Sequence, residues 1–273
     1  MTRRGGPTHA VVTLPALDLR REPRHAAELG SQLLLGEVVR LLASGSAPGW
    51  VRVRNESDGY AGWVREWGLV PATAARAERW QRLARARIAV PMAQVLTGKD
   101  GGASVSPVFF GNRVIAGRTA GGQRSVELPD GRRGYLPAAA FAGRRCPAIE
   151  ARVLTLLGTP YLWGGRTPAG YDCSAFVQQV LLEQGVQLPR DARQQCRRSR
   201  RLPGGAAPEV GDLAFFRRPG EDASHVGISL GGHYFAHSRG RVAIASLDPA
   251  DALCEHDLLP QFMGWYRVPV AEK

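Results

Sequence analysis

Four cysteines and six histidines are the side chains here best suited to nucleophilic or acid–base work, and their surroundings single out one cysteine. Cys173 follows Asp172 and opens a run in which Phe176, Val177, Val180 and Leu181 recur at helical spacing, with Gly185 as the stop. Aspartate is a good N-cap, so Cys173 is expected in the first turn of a helix. A helix N-terminus favours negative charge, which should draw the thiol toward thiolate. A thiolate nucleophile needs a base and a group that steers the base. Both are offered by His225-Val226-Gly227-Ile228-Ser229-Leu230, a turn at Gly231-Gly232, and His233-Tyr234-Phe235-Ala236-His237. Alternation sends Val226, Ile228 and Leu230 to a core and leaves His225, Gly227 and Ser229 on the other face, with Gly227 making room for a substrate. A connection of odd length would set His225 directly opposite His237, whose ring would then fix the tautomer of His225.

Simpler readings apply to the remaining candidates. Cys146, Cys196 and Cys254 read as small buried hydrophobes, and no pair makes C-x-x-C. His233 and His237 have the H-x-x-x-H spacing of a zinc site, but that spacing works on a helix and this segment reads as strand, so no metal or cofactor is expected. Asp172 and Asp191 each precede a helical run and serve as caps whatever else they do. Trp63 and Trp67 read as core.

The elements that must hold these groups fall into distinct textures. Residues 10–70 are short and strand-like, with Trp50-Val51-Arg52-Val53-Arg54 alternating between turn clusters at 44–49 and 55–59, which suits a small barrel. Residues 72–87 are rich in Ala and Arg without Gly or Pro and read as a linking helix. A second strand-rich block spans 88–143. Its Asp130-Gly131-Arg132-Arg133-Gly134-Tyr135-Leu136 echoes Asp58-Gly59-Tyr60-Ala61-Gly62-Trp63-Val64, a weak internal repeat that favours two related barrels. From Cys146 the texture turns helical, with Ile149, Val153, Leu156 and Leu157 stopped by Gly158, and after Pro208 it returns to strands. Helices followed by strands imply an α+β domain.

With 273 residues and 44% hydrophobic content the chain has enough apolar material for several cores, and disorder is excluded as its main state. No apolar run is long enough to cross a membrane, and Pro15 and Asp18 interrupt the first apolar stretch after Arg3 and Arg4, so no signal peptide is read. A cytoplasmic protein with free thiols is expected, the alternative being export by a route not visible in the sequence. The net charge of +12 comes from 36 Lys and Arg against 24 Asp and Glu. Nearly all the cations are arginine, spread along the chain beside abundant Ala and Gly, as a coding bias would leave them. Arg197-Arg198-Ser199-Arg200-Arg201 lacks interleaved aromatics and reads as a solvated loop, so neither nucleic acid nor membrane is expected as a partner.

The ordered series Tyr161-Leu162-Trp163-Gly164-Gly165, Asp172-Cys173-Ser174, Leu188-Pro189-Arg190-Asp191, Gly211-Asp212-Leu213, His225-Val226-Gly227-Ile228 and His237 resembles the NlpC-type cysteine peptidases. These are papain-like enzymes acting on γ-D-glutamyl bonds of bacterial wall peptides. Leu17–Arg21, Leu35-Gly36-Glu37 and Gly59–Trp63 resemble bacterial SH3-like domains. The resemblance implies two SH3-like barrels (1–71 and a divergent 88–143), a linker helix (72–87) and an α+β papain-like catalytic domain (146–273). Two barrels ahead of such a domain resemble the γ-D-glutamyl-L-diamino acid endopeptidases of murein peptide recycling. That implies Cys173 as nucleophile, His225 as base and acid, His237 as the orienting residue, and Tyr161 beside the Cys173 N–H at the oxyanion. The free L-Ala amine of a small murein-derived peptide would be held by Glu37, Tyr60, Asp172, Ser174 and Asp191. Ala175 stands where the family usually has Gly, and Ala192 where recycling enzymes often have Ser. The alternatives are a wall-binding protein with a vestigial catalytic domain, or another amide hydrolase or transacylase on the same scaffold.

Overall fold

The computed structural model describes residues 6–43, 47–143 and 146–269; Ser44, Gly45 and Ser46 of the first expected turn cluster lie outside them. The chain divides into two compact units, Met1–Arg145 with Arg166–Pro168, and Cys146–Gly165 with Ala169–Lys273.

The first unit holds two antiparallel sheets. One has seven strands in the order Leu29–Leu34, Ala16–Arg20, Ala61–Arg65, Trp50–Asn55, Val38–Leu41, His9–Val12, Leu69–Ala72. Its core is Val12, Leu17, Leu19, Leu33, Val39, Val53 and Val64, the inward half of each alternating strand. The other has six strands, in the order Gly101–Phe109, Met92–Gly98, Arg133–Pro137, Gln123–Glu127, Arg113–Ala120, Ala86–Arg87. Between the sheets in sequence lies helix α1 (Ala74–Leu83), begun by Thr73, whose hydroxyl accepts from the Arg76 N–H at 3.3 Å. Its Trp80 is buried and donates to the Gly36 carbonyl at 2.9 Å. Gly36 (φ +84°) must be glycine, because a Cβ there would lie 2.3 Å from the Arg113 carbonyl. Leu35 beside it is buried in the core of the second sheet, and the Asn112 amide donates to the Pro15 carbonyl at 3.0 Å, so the two sheets share packing within this unit. Trp67, expected in the core, is 63% exposed.

The second unit packs helices α2 (Ile149–Leu156), α3 (Cys173–Glu183) and α4 (Ala192–Arg198) with a six-stranded antiparallel sheet. The sheet order is Arg200–Arg201, Phe262–Arg267, Leu213–Phe216, His225–Gly231, Tyr234–Arg239, Arg241–Ser246. On one face Leu213, Phe215, Val226, Ile228 and Ala236 meet Val153, Phe176, Val177 and Val180 of the helices. On the other, Ala214, Phe216, Phe235 and Ala245 form a smaller aromatic layer. Burying each large apolar side chain contributes ~1.5–3 kcal/mol, so this two-faced sheet is the stable platform of the unit. Ten of the eleven α3 residues are buried, so its polar members need internal partners. Gln178 donates to the Leu188 carbonyl at 3.0 Å, and Glu183 takes the Arg152 guanidinium at 2.6 and 2.7 Å. The three other cysteines are not the buried hydrophobes expected: Cys146 is exposed, and Cys196 and Cys254 are half-buried. The run Arg197–Arg201 is no loop but the end of α4 and an edge strand.

Candidate active site

Cys173 occupies the first position of α3, and Asp172 caps the helix, accepting from the Ala175 N–H at 2.8 Å. The Asp172 carboxylate also accepts from the Gly164 N–H at 3.0 Å and the Ser174 hydroxyl at 3.1 Å. Arg190 grips both its oxygens and donates to the Ser174 Oγ at 2.9 Å. Arg190 is 1% exposed, so this is a buried ion pair whose charges are balanced by hydrogen bonds on both partners. Gln195 of α4 reaches back to donate to the Ser174 carbonyl at 3.0 Å and the Pro189 carbonyl at 2.9 Å. The first turn of α3 is therefore clamped from two sides.

The sulfur of Cys173 accepts from the N–H of Val226, the residue after His225, and from that of Ser174. His225 Nε2 and His237 Nδ1 are 2.8 Å apart, their rings edge-on with centroids 5.1 Å apart. The register differs from the expected one: Gly227, not His225, lies opposite His237, with a bulge between Ser229 and Gly231. The imidazoles meet on a diagonal, within reach of long side chains on one sheet face. Nor does Gly227 leave space for substrate, since a Cβ there would sit 2.6 Å from the Phe235 ring. The Phe235 ring also abuts His237, their centroids 5.0 Å apart, and the Phe216 ring flanks His225 at 5.6 Å.

For His225 to accept a proton at Nδ1, its Nε2 must carry hydrogen and donate to His237 Nδ1. His237 must then hold its own proton on Nε2. That nitrogen is buried, and Glu255 Oε1 stands 3.8 Å away, while Glu255 Oε2 is held by Arg239 at 2.7 Å.

Electrostatics reverse one expectation. Burial, and then the Asp172 charge, push the Cys173 thiol up to about 12, overriding the Val226 and Ser174 N–H groups and Arg190 that pull it down. Burial, with contributions from His237 and Arg239, lowers His225 to about 3, and burial with Arg239 lowers His237 to about 4. In the substrate-free protein the pair is thus neutral thiol and neutral imidazole. Tyr161 is half-buried, and burial and the nearby Cys173 and Asp172 charges raise its phenol, so it is a hydrogen-bond donor at neutral pH.

The second unit thus brings Cys173, His225 and His237 together with Asp172, Ser174 and Tyr161. Asp191 caps α4, with the Gln194 side chain accepting from its N–H at 3.4 Å. Glu37 and Tyr60 belong to the first unit. The Glu37 carboxylate accepts from Arg166 at 3.0 Å on each oxygen, from the Leu34 N–H at 2.8 Å, from Asn55 at 3.3 Å and from Ser57 at 3.2 Å. Burial would raise its pKa, but the Arg166 charge and these donors outweigh it and lower it. Tyr60 packs in the first sheet's core with the Arg21 guanidinium 5.6 Å from its ring centroid. Sequence reasoning passed over Arg190, although a buried aspartate calls for a cation and Arg190 lies in one of the quoted motifs. Glu255 carried no local signal.

Comparison with known proteins follows these lines. A γ-D-glutamyl-L-lysine dipeptidyl-peptidase of Bacillus subtilis is 27% identical over 225 residues, 76% of this chain and 71% of the relative. A probable endopeptidase of Haemophilus influenzae, an NlpC homologue, is 41% identical over 95 residues, 34% of this chain; the chain spans 49% of that relative's length. The crystal structure of an NlpC/P60 family protein from Bacillus cereus superposes with a TM-score of 0.79 over 96% of this chain and 100% of that one, at 20% identity, a likeness of fold. Residues 19–69 match the bacterial dipeptidyl-peptidase SH3 domain and residues 158–252 the NlpC/P60 family. The chain therefore carries a bacterial SH3 domain and, around Cys173, His225 and His237, an NlpC/P60 family domain.

Proposed function

We propose that this protein is a cysteine endopeptidase that cuts the bond between γ-D-Glu and a diamino acid in murein peptides with a free N-terminal L-Ala. The reading rests above all on the His225–His237 bond of 2.8 Å beside a cysteine at a helix N-terminus. The name of the Bacillus subtilis relative, a γ-D-glutamyl-L-lysine dipeptidyl-peptidase, supports the bond type. On this reading the 88–143 block is a divergent second SH3-like barrel, and the catalytic unit, with its nucleophile helix against an antiparallel sheet, has papain-like architecture. An enzyme of peptide recycling would work in the cytoplasm.

As the γ-glutamyl carbonyl arrives, His225 Nδ1 takes the Cys173 proton and the sulfur attacks the carbonyl carbon. The oxyanion that forms accepts hydrogen bonds from the Cys173 N–H and the Tyr161 phenol. Imidazolium His225 gives its proton to the departing amine, the carbon–nitrogen bond breaks, and a thioester remains. Water, deprotonated by His225, attacks the thioester and releases L-Ala-γ-D-Glu and the thiol. Asp172, Ser174, Asp191, Glu37 and Tyr60 are the residues to which the amine-binding role is assigned. Asp172 and Glu37 already hold arginines, so an incoming ammonium would have to share them.

The test is turnover of L-Ala-γ-D-Glu-diaminopimelate by the purified protein, followed as release of the free diamino acid. Release in the wild type, lost by at least ~10⁴-fold in Cys173→Ala, supports the peptidase. Equal rates on the free and the N-acetylated tripeptide would refute the amine clamp, and no release would favour a wall-binding role.

A further inference from the structure

His237 has one ring nitrogen that the imidazole pair does not use. Its Nδ1 meets His225 at 2.8 Å, while its Nε2 is buried without a hydrogen-bond partner among the described residues. Buried polar atoms are almost always partnered, and an imidazole nitrogen needs an acceptor when it carries hydrogen and a donor when it does not. The charged and titratable groups about the ring are few. His225 faces it from the preceding strand, Arg239 lies two residues along its own, and Glu255 reaches it from the segment after the sheet's edge strand. That edge strand, Arg241–Ser246, sets only Ala243 opposite His237.

The backbone pins Glu255 in place. Cys254 bridges to Ser246, the Glu255 N–H donates to the Ser246 carbonyl at 3.3 Å, and the Glu255 carbonyl accepts from the Leu258 N–H at 2.8 Å. Leu258 is buried in the layer of Phe216 and Phe235, the two rings that flank the histidines. The segment is therefore anchored on the histidine face of the sheet. Its carboxylate is oriented as well. Oε2 accepts from Arg239 at 2.7 Å, and Arg239 is steadied in turn by Asp257 at 3.3 Å. Oε1 is left turned to His237 Nε2, 3.8 Å away, so a small swing of this half-buried side chain brings it to hydrogen-bond distance.

We propose that Glu255 is a positioning residue that acts through His237 to set the tautomers of both imidazoles. The proposal rests on the peptidase reading above and adds a residue behind His237. A carboxylate beside Nε2 attracts an N–H and repels a lone pair, so it places the His237 proton on Nε2. His237 Nδ1 is then an acceptor and takes the N–H of His225 Nε2. His225 Nδ1 keeps its lone pair and can receive the Cys173 proton. When His225 becomes imidazolium, its charge polarises His237 and strengthens the pull between Nε2–H and Glu255, and the His237 proton stays where it is. The reverse arrangement is unproductive. A proton on His237 Nδ1 would be donated to His225 Nε2, force the His225 proton onto Nδ1, and leave no base for the thiol. The Arg239 charge, which reaches both rings, would favour that reverse were its guanidinium not paired with Glu255.

The experiment reads the tautomers directly, by nitrogen NMR of the histidine rings in the isotopically labelled full chain at neutral pH. In the wild type both His225 and His237 should carry hydrogen on Nε2. Glu255→Gln should move one or both rings to a mixture of tautomers, and Glu255→Asp, which keeps the charge, should retain the wild-type pattern. With the L-Ala-γ-D-Glu-diaminopimelate tripeptide, Glu255→Gln should lower kcat at least about tenfold with KM unchanged, and Glu255→Asp should recover most of that loss. A wild-type His237 protonated on Nδ1, or a Glu255→Gln spectrum identical to the wild type, would overturn the assignment without recourse to any substrate. A tautomer shift in Glu255→Gln without tripeptide turnover by the wild type would count against hydrolysis and for the positioning role. Turnover with kcat untouched by Glu255→Gln would do the reverse.

Discussion

Two buried carboxylates, Glu37 in the first unit and Asp172 in the second, meet the same fate by different routes. Each is held by an arginine on both oxygens and by backbone and side-chain donors as well. Glu37 sits on a turn, where the Leu34 N–H, Asn55 and Ser57 complete its shell. Asp172 sits at a helix start, where the Gly164 and Ala175 N–H groups and Ser174 do so. The difference lies in what the pair's charge acts on. Around Glu37 the charges answer only one another and the turn's donors. Around Asp172 they act on the adjacent sulfur, the carboxylate raising the Cys173 thiol and Arg190 lowering it. One arrangement of carboxylate and arginine is scaffold in the first unit and part of the Cys173 thiol's electrostatic environment in the second.

Removing the arginines tests this contrast with the largest effects. Arg190→Met leaves Asp172 buried and unpaired, a loss of ~3–5 kcal/mol, and Arg166→Met does the same to Glu37. Calorimetric melting should show both as drops of roughly 6–15 °C. Alkylation of Cys173 by iodoacetamide should separate them. In the wild type the rate should climb steadily with pH through the alkaline range, as a thiol near 12 requires, with no plateau at low pH. Arg190→Met should slow it further at each pH, and Arg166→Met should leave it unchanged. Slowing by both would dissolve the distinction.

The contrast also marks where sequence reasoning stops. Asp172 as a cap, Cys173 in the first turn, and Val226 and Ile228 facing inward are all local facts, set by spacing within a few residues. The 2.8 Å contact of the two imidazoles was within reach because both lie on neighbouring strands of one hairpin. Their register was not, because the bulge at Ser229–Gly231 shifts the pairing and alternation alone does not foresee bulges. The arginines were out of reach for a related reason. Arg190 meets Asp172, and Arg166 meets Glu37, across folded distance; the motif around Arg190 marks that residue without naming its partner, and for Arg166 a sequence in which arginine is everywhere offers no pattern to choose it by. The thiol's direction differs from the expected one on magnitude: a helix end offers a fraction of a charge, while full burial removes the water that would solvate a whole one.

A smaller effect, spread over pH, sharpens the comparison from the histidine side. His237 is fully buried with its pKa lowered to about 4, so unfolded chains bind its proton from about pH 6.5 downward while folded ones do not. Stability from this group is complete above pH 6.5 and is lost as pH falls toward 4, at up to ~1.4 kcal/mol per pH unit. His225, lowered to about 3, adds to the same slope. Denaturant melts between pH 7 and 4 should therefore show a steep loss in the wild type and a shallower one in His237→Asn. The Glu37 carboxylate, held below its ordinary value, contributes in the same sense but lower, as pH falls through the carboxylate range. Equal slopes in wild type and variant would mean that His237 is charged in the fold.

Asp191 supplies the smallest effect and the finest discrimination, because it is the amine-binding candidate with no arginine in its grip. It is half-buried and caps a seven-residue helix. Replacing a capping aspartate by alanine costs ~0.5–2 kcal/mol, whereas asparagine caps about as well. Asp191→Asn should therefore melt within a degree or two of the wild type while losing the negative charge. If that charge meets the substrate's ammonium, KM for the free tripeptide should rise about tenfold and kcat should hold, with the N-acetylated peptide unaffected. If Asp191 is only a cap, Asp191→Ala lowers the melting temperature and Asp191→Asn changes neither constant. The arginine-bound carboxylates allow no such separation, since neutralising either one also leaves a buried guanidinium without its counter-charge.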